Sequence, residues 1–514
     1  MEDLMKPGKY ITILLATLFL VANPCVSTAQ QTGDSPGYDA SDGEELLIIE
    51  DDETLIIEDE SGDADTAAPP AVTDEQAVDT QYAHPSSWTD YLRYKGDNYS
   101  IGLDRARIEY GNLYRSKSTA DTSNYGHLAF SARWQPSPAW ETKLSGRLDY
   151  YYQTGDPDVN QADLDYGDSV VRFRGDNFRI TAGTQKVIWG RIDELPPTDR
   201  ISRADISRGL LDDLPERRRA MPVIRFEGFH EGYKLDALVN PAFRKAALPD
   251  KDSVWYTINR EKGAILGFKQ TPLLQNLVKN GSVSDKAPDD YGGFGFRLSH
   301  TGDRFDYAVT VQKARQSTPY WQLNSTVRSS LQAGAPPGAA IASSGKATFR
   351  ARYPRTWVAG GDMGFQALDA TWRFEAAWIS DTPVTRNDLR YDTVDSANWA
   401  AGVQFFPGDT DVRVNLQIVG VNLIDSPSIL DRKNIYNFNG TINGKFANNR
   451  WEGNTRFFAG LDKKDIYFNP EIAFIGWEPH KIYAAWHYFS GDDETVGGYW
   501  EDDSILTLGW RAEF

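Results

Sequence analysis

The 514-residue sequence has a single cysteine, Cys25. With no second thiol there is no disulfide, and beyond the leader there is no thiolate metal site or cysteine nucleophile. Long apolar runs are also missing. No segment after the leader reaches the roughly eighteen apolar residues of a membrane helix. If the chain crosses a membrane, it crosses as a closed barrel, since only helices and barrels satisfy their backbone groups in lipid. Histidine is scarce: the six are His84, His127, His230, His300, His480 and His487. They form no evident serine–histidine–carboxylate constellation, and no phosphate-cradling glycine loop or calcium-loop pattern is present. No catalytic residue, cofactor or metal site is therefore expected. Basic clusters on the scale of a nucleic-acid face are absent too.

One sign of charge is missing from part of the chain. Residues 30–90 contain 18 Asp and Glu and no Lys or Arg, which accounts for nearly all of the net charge of −19. The remainder, 91–514, is close to neutral. Ahead of the acidic stretch, Lys6 and Lys9 precede the apolar "YITILLATLFLVANP", and small Ser27 and Ala29 follow. That order is a secretory signal over 1–29. Pro24 before Cys25 fits a lipidation pattern poorly.

The segment 30–90 reads as a disordered acidic arm, rich in Gly, Ser, Asp, Ala and Pro. It carries a near-duplicate: Leu47, Ile48 and Ile49 before Glu50-Asp51 recur as Leu55, Ile56 and Ile57 before Glu58-Asp59. Two clusters rich in β-branched residues in a solvating tail suit a docking element that adds a strand to a periplasmic partner or to this protein's own edge. The alternative is a tether that merely contains apolar residues.

From about residue 98 the pattern has period two. Val412, Val414, Leu416 and Ile418 alternate with Arg413, Asn415 and Gln417. Trp372, Phe374, Ala376 and Trp378 alternate with Arg373 and Glu375, and Leu144, Leu148 and Tyr150 oppose Lys143, Arg147 and Asp149. One face of each strand is apolar and the other charged. Short turns at 135–138, 174–177, 230–232, 300–303, 407–410 and 477–480 alternate with longer loops at 153–165, 190–221, 241–290, 316–354, 380–395 and 491–503. That alternation belongs to a transmembrane antiparallel up-and-down β-barrel. The strand count is about 18, with 16 as the alternative because the apolar phase slips near Asp104-Arg105 and the loops of 433–477 are weakly marked. Several of the 15 Trp, among them Trp140, Trp189, Trp357, Trp378, Trp451 and Trp477, fall near strand ends, where interface girdles lie.

The terminal "ILTLGWRAEF" resembles the C-terminal insertion signal of Gram-negative outer-membrane barrels, with Trp510 and Phe514 as its aromatic members. The body resembles porin-like barrels of the alginate-export type and related porin families, most suggestively in "AGTQKVIWGRIDELPPTD". The resemblance implies an outer-membrane channel for hydrophilic solutes. Its partners would be outer-membrane lipid and the barrel-assembly machinery, and the arm would lie in the periplasm, there to meet a periplasmic or inner-membrane transport partner.

In a wide barrel, selectivity lies in inward residues and infolded loops. Loop 190–221 has Arg191, Asp193, Glu194 and Asp199 near one end and Arg217, Arg218 and Arg219 at the other, with a short helix expected after Asp205 or Ser207. Folded inward, its opposed charges would set a transverse field at a constriction; left outside, it is a solvated loop. Lys143, Arg147, Arg373 and Arg413 would face the lumen as a basic track, or be neutralised by the carboxylates interleaved with them. Loop 241–290 contains an apolar stripe of Leu273, Leu274, Leu277 and Val278 ended by Gly281, a helix serving as a plug or packed on the mouth. Loop 316–354 reads as flexible surface.

Overall fold

The structure is a computed structural model and describes residues 93–408 and 410–514. The signal and the acidic arm, with Leu47, Ile48, Ile49, Leu55, Ile56 and Ile57, lie outside the described residues.

Eighteen antiparallel strands close into a barrel. In chain order they are β1 (Tyr99–Leu113), β2 (Ala120–Ser137), β3 (Trp140–Gly155), β4 (Val159–Tyr166 continued as Ser169–Arg174), β5 (Phe178–Gln185), β6 (Met221–His230), β7 (Tyr233–Asn240), β8 (Gly293–His300), β9 (Phe305–Arg315) and β10 (Arg355–Ala367). There follow β11 (Ala370–Thr385), β12 (Tyr391–Phe405), β13 (Arg413–Leu423), β14 (Asn434–Phe446), β15 (Trp451–Gly460), β16 (Asp465–Trp477), β17 (His480–Gly491) and β18 (Ile505–Glu513). Each pairs with its sequence neighbours. The seam is β1 against β18, in register from Arg105↔Glu513 to Leu113↔Ile505. The phase slip near Asp104 is a bulge between Leu103 and Arg105 in the β1–β2 ladder.

Alternation decides which side each residue takes. On β9, Phe305, Tyr307, Val309 and Val311 are exposed on the outer surface, while Thr310 and Gln312 are fully buried inside. On β7, Leu235 and Val239 face out and Asp236 is buried. The molecule is thus inverted relative to a water-soluble globule: its exposed surface is apolar, and its interior holds Glu109, Asp149, Glu227, Asp362, Glu375 and Arg456. Trp140, Trp357, Trp378, Trp451 and Trp477 stand exposed on the outside, mostly near strand ends. Trp189 does not. It is 3 % exposed and packs inward with Val187, Ile201, Met221, Val223 and Leu238.

Among the described residues, one end of the barrel carries short connections, at 138–139, 175–177, 231–232, 301–304, 368–369, 447–450 and 478–479, with the short connection from β12 to β13 at the same end. The other carries the long connections 186–220, 241–292 and 316–354. Two expected loops are strands instead. The ladder of β3 and β4 runs to Gln153↔Val159, and that of β11 and β12 to Thr385↔Tyr391. Above the apolar belt the outer face turns polar, so alternation of hydropathy ends before the hydrogen bonding does.

The connections 241–292 and 316–354 fold together. Helix α1 (Pro272–Asn280) has the Thr271 side chain as its N-cap and Gly281 at its C-cap. It buries Leu277 and Val278 against a cluster that includes Trp321, Val327, Ala340 and Phe349, while Leu273 is exposed. The segment expected as flexible surface forms helices α2 (Ser325–Gln332) and α3 (Pro337–Ser344), with Ala340 fully buried.

Candidate functional site

Residues 186–220 leave the wall at the end of β5 and turn inward. The turn is built around Trp189 and Gly190. The indole Nε1 of Trp189 donates to Asp236 Oδ2 on β7 at 3.0 Å. Its ring lies on Gly295 of β8, where an added Cβ would approach it to 2.6 Å. Gly190 has φ +117°, in the region that L side chains rarely adopt, and a Cβ there would sit 2.7 Å from both carboxylate oxygens of Glu375. The Trp-Gly pair is therefore a wedge and a hinge.

Glu375 on β11 anchors the first turn of the loop. Its buried carboxylate accepts from the backbone N–H of Arg191 at 2.9 Å, of Ile192 at 3.4 Å and of Thr198 at 2.7 Å, and from the Thr198 hydroxyl at 2.7 Å. Arg191 then reaches Asp362 on β10 at 2.6 Å and Asp306 on β9 at 3.3 Å. Asp193 accepts from Arg373 on β11 at 3.3 Å and from Asn415 and Gln417 on β13.

The acidic and basic ends of the loop do not face each other across open space. They pair. Arg217 donates to Glu194 at 2.6 Å, Arg218 to Asp199 at 2.7 Å, and Arg219 to Asp205 at 2.6 Å. Arg219 also reaches Asp149 on β3 at 3.0 Å. Nor does a helix follow Asp205. Residues 206–216 are successive turns, in which the Asp205 carboxylate accepts from the Ser207 N–H.

A second group of contacts ties the far side of the loop to the opposite wall. Arg107 on β1 bonds Asp212 at 3.0 Å and Glu216 at 2.9 Å. Arg208 pairs with Glu109 on β1 and with Asp212. Arg456 on β15 donates to Asp213 at 2.8 Å, to the Asp212 and Leu210 carbonyls, and to the Tyr467 hydroxyl on β16. The Tyr467 hydroxyl also meets Nδ1 of His487 at 2.9 Å, so that lone inward histidine is buried and hydrogen-bonded. Burial pushes Glu216 up, but the guanidinium groups of Arg107 and Arg105 outweigh it and hold the carboxyl down to about 2. For Asp212 burial prevails over Arg208 and Arg107, and its pKa is raised.

The loop thus touches inward side chains from β1, β3, β4, β7, β9, β10, β11, β13, β15 and β16, which spans the lumen. Of the proposed basic track, Arg147 is held by Asp149 at 2.8 Å and Arg373 by Asp193. Lys143 and Arg413 form no ion pair among the described residues and sit near the short-turn end. Trp510 faces outward with its ring stacked 5.8 Å from His480, and the Phe514 N–H donates to the Asp104 carbonyl at 2.9 Å. Sequence reasoning did not single out Arg107, Glu109, Arg208, Asp212, Glu216, Asp362 or Arg456. A signal existed for the first two: Arg105, Arg107 and Glu109 are charged at alternate positions of one strand.

Neither a scan against protein-family models nor a search of curated proteins finds a match. Solved structures do align with the barrel. OccAB1 of Acinetobacter baumannii is 9% identical over 81% of this chain and 96% of its own, with a TM-score of 0.49. OmpF of Salmonella typhi, solved in complex with daunomycin, is 10% identical over 82% of this chain and 100% of its own, with a TM-score of 0.39. The outer-membrane channel DcaP of Acinetobacter baumannii is 8% identical over 82% and 99%, with a TM-score of 0.40.

Proposed function

We propose that the chain is a porin-like channel of the Gram-negative outer membrane, passing hydrophilic solutes through a polar lumen narrowed by the loop 186–220. The observation that carries this reading is the pairing of two features: a closed barrel with an apolar outside, and a long loop ion-paired to inward side chains on all sides. An apolar belt fits lipid, and a charged interior fits water and polar solutes. Charged side chains at a narrowing select by size and sign. The solute is small, or polymeric as in the alginate-export type that the sequence resembles. Trp510 and Phe514 act as the insertion signal read by the assembly machinery, and the acidic arm extends into the periplasm.

The density of ties across the lumen favours a second reading as well. A barrel closed on its own would serve as an accessory part of an envelope export or lipid-transport assembly, recruited through Leu47–Ile49 and Leu55–Ile57 of the arm. Planar-bilayer recording separates the two. A channel gives stable ohmic openings whose ion selectivity shifts when Arg217, Arg218 and Arg219 are replaced by glutamine. A barrel that stays closed under every voltage, and co-purifies with a periplasmic or inner-membrane partner until 44–60 is deleted, supports the accessory role and refutes the channel.

A further inference from the structure

The barrel closes as a ring, but among the described residues one edge of the upper part of β4 has no strand beside it. Val159–Tyr166 pairs with β3 on one side, whereas the lower part, Ser169–Arg174, pairs with both β3 and β5. β5 ends at Gln185, opposite Met221, where the chain turns into the lumen. Among the described residues no strand pairs with the other edge of Val159–Tyr166, and no backbone hydrogen bond reaches that edge from a loop. An open edge in a lipid-facing wall leaves N–H and C=O groups without the partners that closure normally supplies. Side chains fill the opening instead: Arg203 and Arg244 both hold Asp165, at 2.7 and 2.8 Å.

Outside this opening lies an open concavity of about 610 Å³. Its walls are Ile101, Phe130, Leu144 and Leu164, and its lining includes Asp165 and Arg244. Leu164 is 72 % exposed. Arg244 comes from the long connection 241–292, yet its guanidinium lies 4.4 Å over the ring of Tyr166. The ladder gives the depth. Asp165 is opposite Arg147 and Leu164 opposite Leu148, between exposed Trp140 towards the short-turn end and exposed Tyr150 and Tyr152 towards the other. Arg244 therefore sits within the apolar belt, below the level of those tyrosines. Charge on a lipid-facing surface at such depth is unfavourable, and an ionised side chain kept there points to a use.

We propose that this notch is a lateral binding site for a single-chain amphiphile with a carboxylate head, the head on Arg244 and the chain along Leu164, Leu144, Phe130 and Ile101. Arg244 uses Nη1 on Asp165, and a guanidinium carries five donors, so capacity for a second carboxylate remains. The occupant is not a bilayer phospholipid, whose phosphate stays at the headgroup level. A single-chain carboxylate leaves its leaflet readily and brings one charge to match the arginine. The site rests on the reading that the barrel is embedded in a membrane, but not on an open lumen.

The test uses the full chain in dodecyl maltoside and palmitate bearing a photoreactive diazirine near its chain end, with labelled peptides mapped by mass spectrometry. Labelling is expected within 101–102 and 130–132, at the chain-end side of the notch, displaced by unlabelled palmitate and not by its methyl ester. Arg244→Gln should weaken displacement about tenfold, as the loss of one charge-assisted hydrogen bond implies. Labelling spread evenly over the outer belt, or equal competition by the methyl ester, overturns the site. The ester comparison needs only the native chain, so it decides the matter even where a variant fails to fold. A chain that stays dispersed without detergent would instead refute membrane embedding, a separate outcome.

Discussion

Replacing Glu375 with alanine should release the first turn of the lumen loop. Four donors from 191–198 converge on this one carboxylate, three of them backbone N–H groups. A hydrogen bond to a charged acceptor contributes about 1.5–3 kcal/mol, but four on one carboxylate are not additive. Removing one side of a buried charged interaction costs about 3–5 kcal/mol, because the other side is left without partners. That is about two to four orders of magnitude in the ratio of docked to undocked loop. The rest of the loop stays pinned, since Arg208, Asp212, Asp213 and Glu216 bond to β1 and β15 independently of Glu375. The expected change is therefore partial: larger, noisier conductance substates in single-channel records, together with new tryptic cleavage after Arg191 and Arg200. Glu375→Gln, which keeps one acceptor oxygen, should fall between. A Glu375→Ala channel with native conductance, native noise and no new cleavage would show that the loop is not held by this carboxylate, and would refute the reasoning.

Three further expectations rest on the same geometry. Gly190→Ala places a Cβ against Glu375 at a positive φ, so it should mimic Glu375→Ala in the tryptic assay, at a cost of about 1–3 kcal/mol. Glu216 has its pKa lowered by Arg107 and Arg105, so its contribution is fully present above its ordinary 4.5 and is lost progressively as pH falls from there through about 2, whereas neighbouring Asp212, whose pKa is raised, loses its charge at higher pH; in Asp212→Asn the resistance of the region around 216 to an acid protease should therefore hold down to about pH 4.5 and decline from there towards pH 2, while the native chain begins to lose it earlier. Deleting Phe514 should lower the yield of heat-modifiable barrel in outer-membrane fractions several-fold while leaving refolding in detergent intact; unchanged yield would remove the insertion-signal reading.

The amino-acid sequence by itself determined the wall. Period-two alternation is local: whether Val309 faces out and Thr310 in depends on residues one and two places away, and the clean strands carry it in full. Short and long connections, read in order, gave the up-and-down topology and 18 strands. The reading failed where the alternation stops carrying hydropathy. Strands β3, β4, β11 and β12 continue past the apolar belt, where hydrogen bonding persists and the outer face is polar, so 153–165 and 380–395 looked like loops.

The lumen was decided by tertiary structure. Arg217, Arg218 and Arg219 were legible as a cluster, but not that each would find a carboxylate of its own loop. Glu109 meets Arg208 from 99 positions away, and Glu375 meets Thr198 from 177. No local pattern encodes such meetings, because they depend on where a loop lands after the barrel has closed. Trp189 makes the same point: a tryptophan at a strand end reads as a girdle residue, and only the inward turn at Gly190 buries it on Gly295. The open edge of β4 is likewise silent in sequence, since Ala162, Leu164 and Tyr166 alternate as in any walled strand. Whether a strand has a second neighbour is decided by where the rest of the chain runs, not by the strand's own residues.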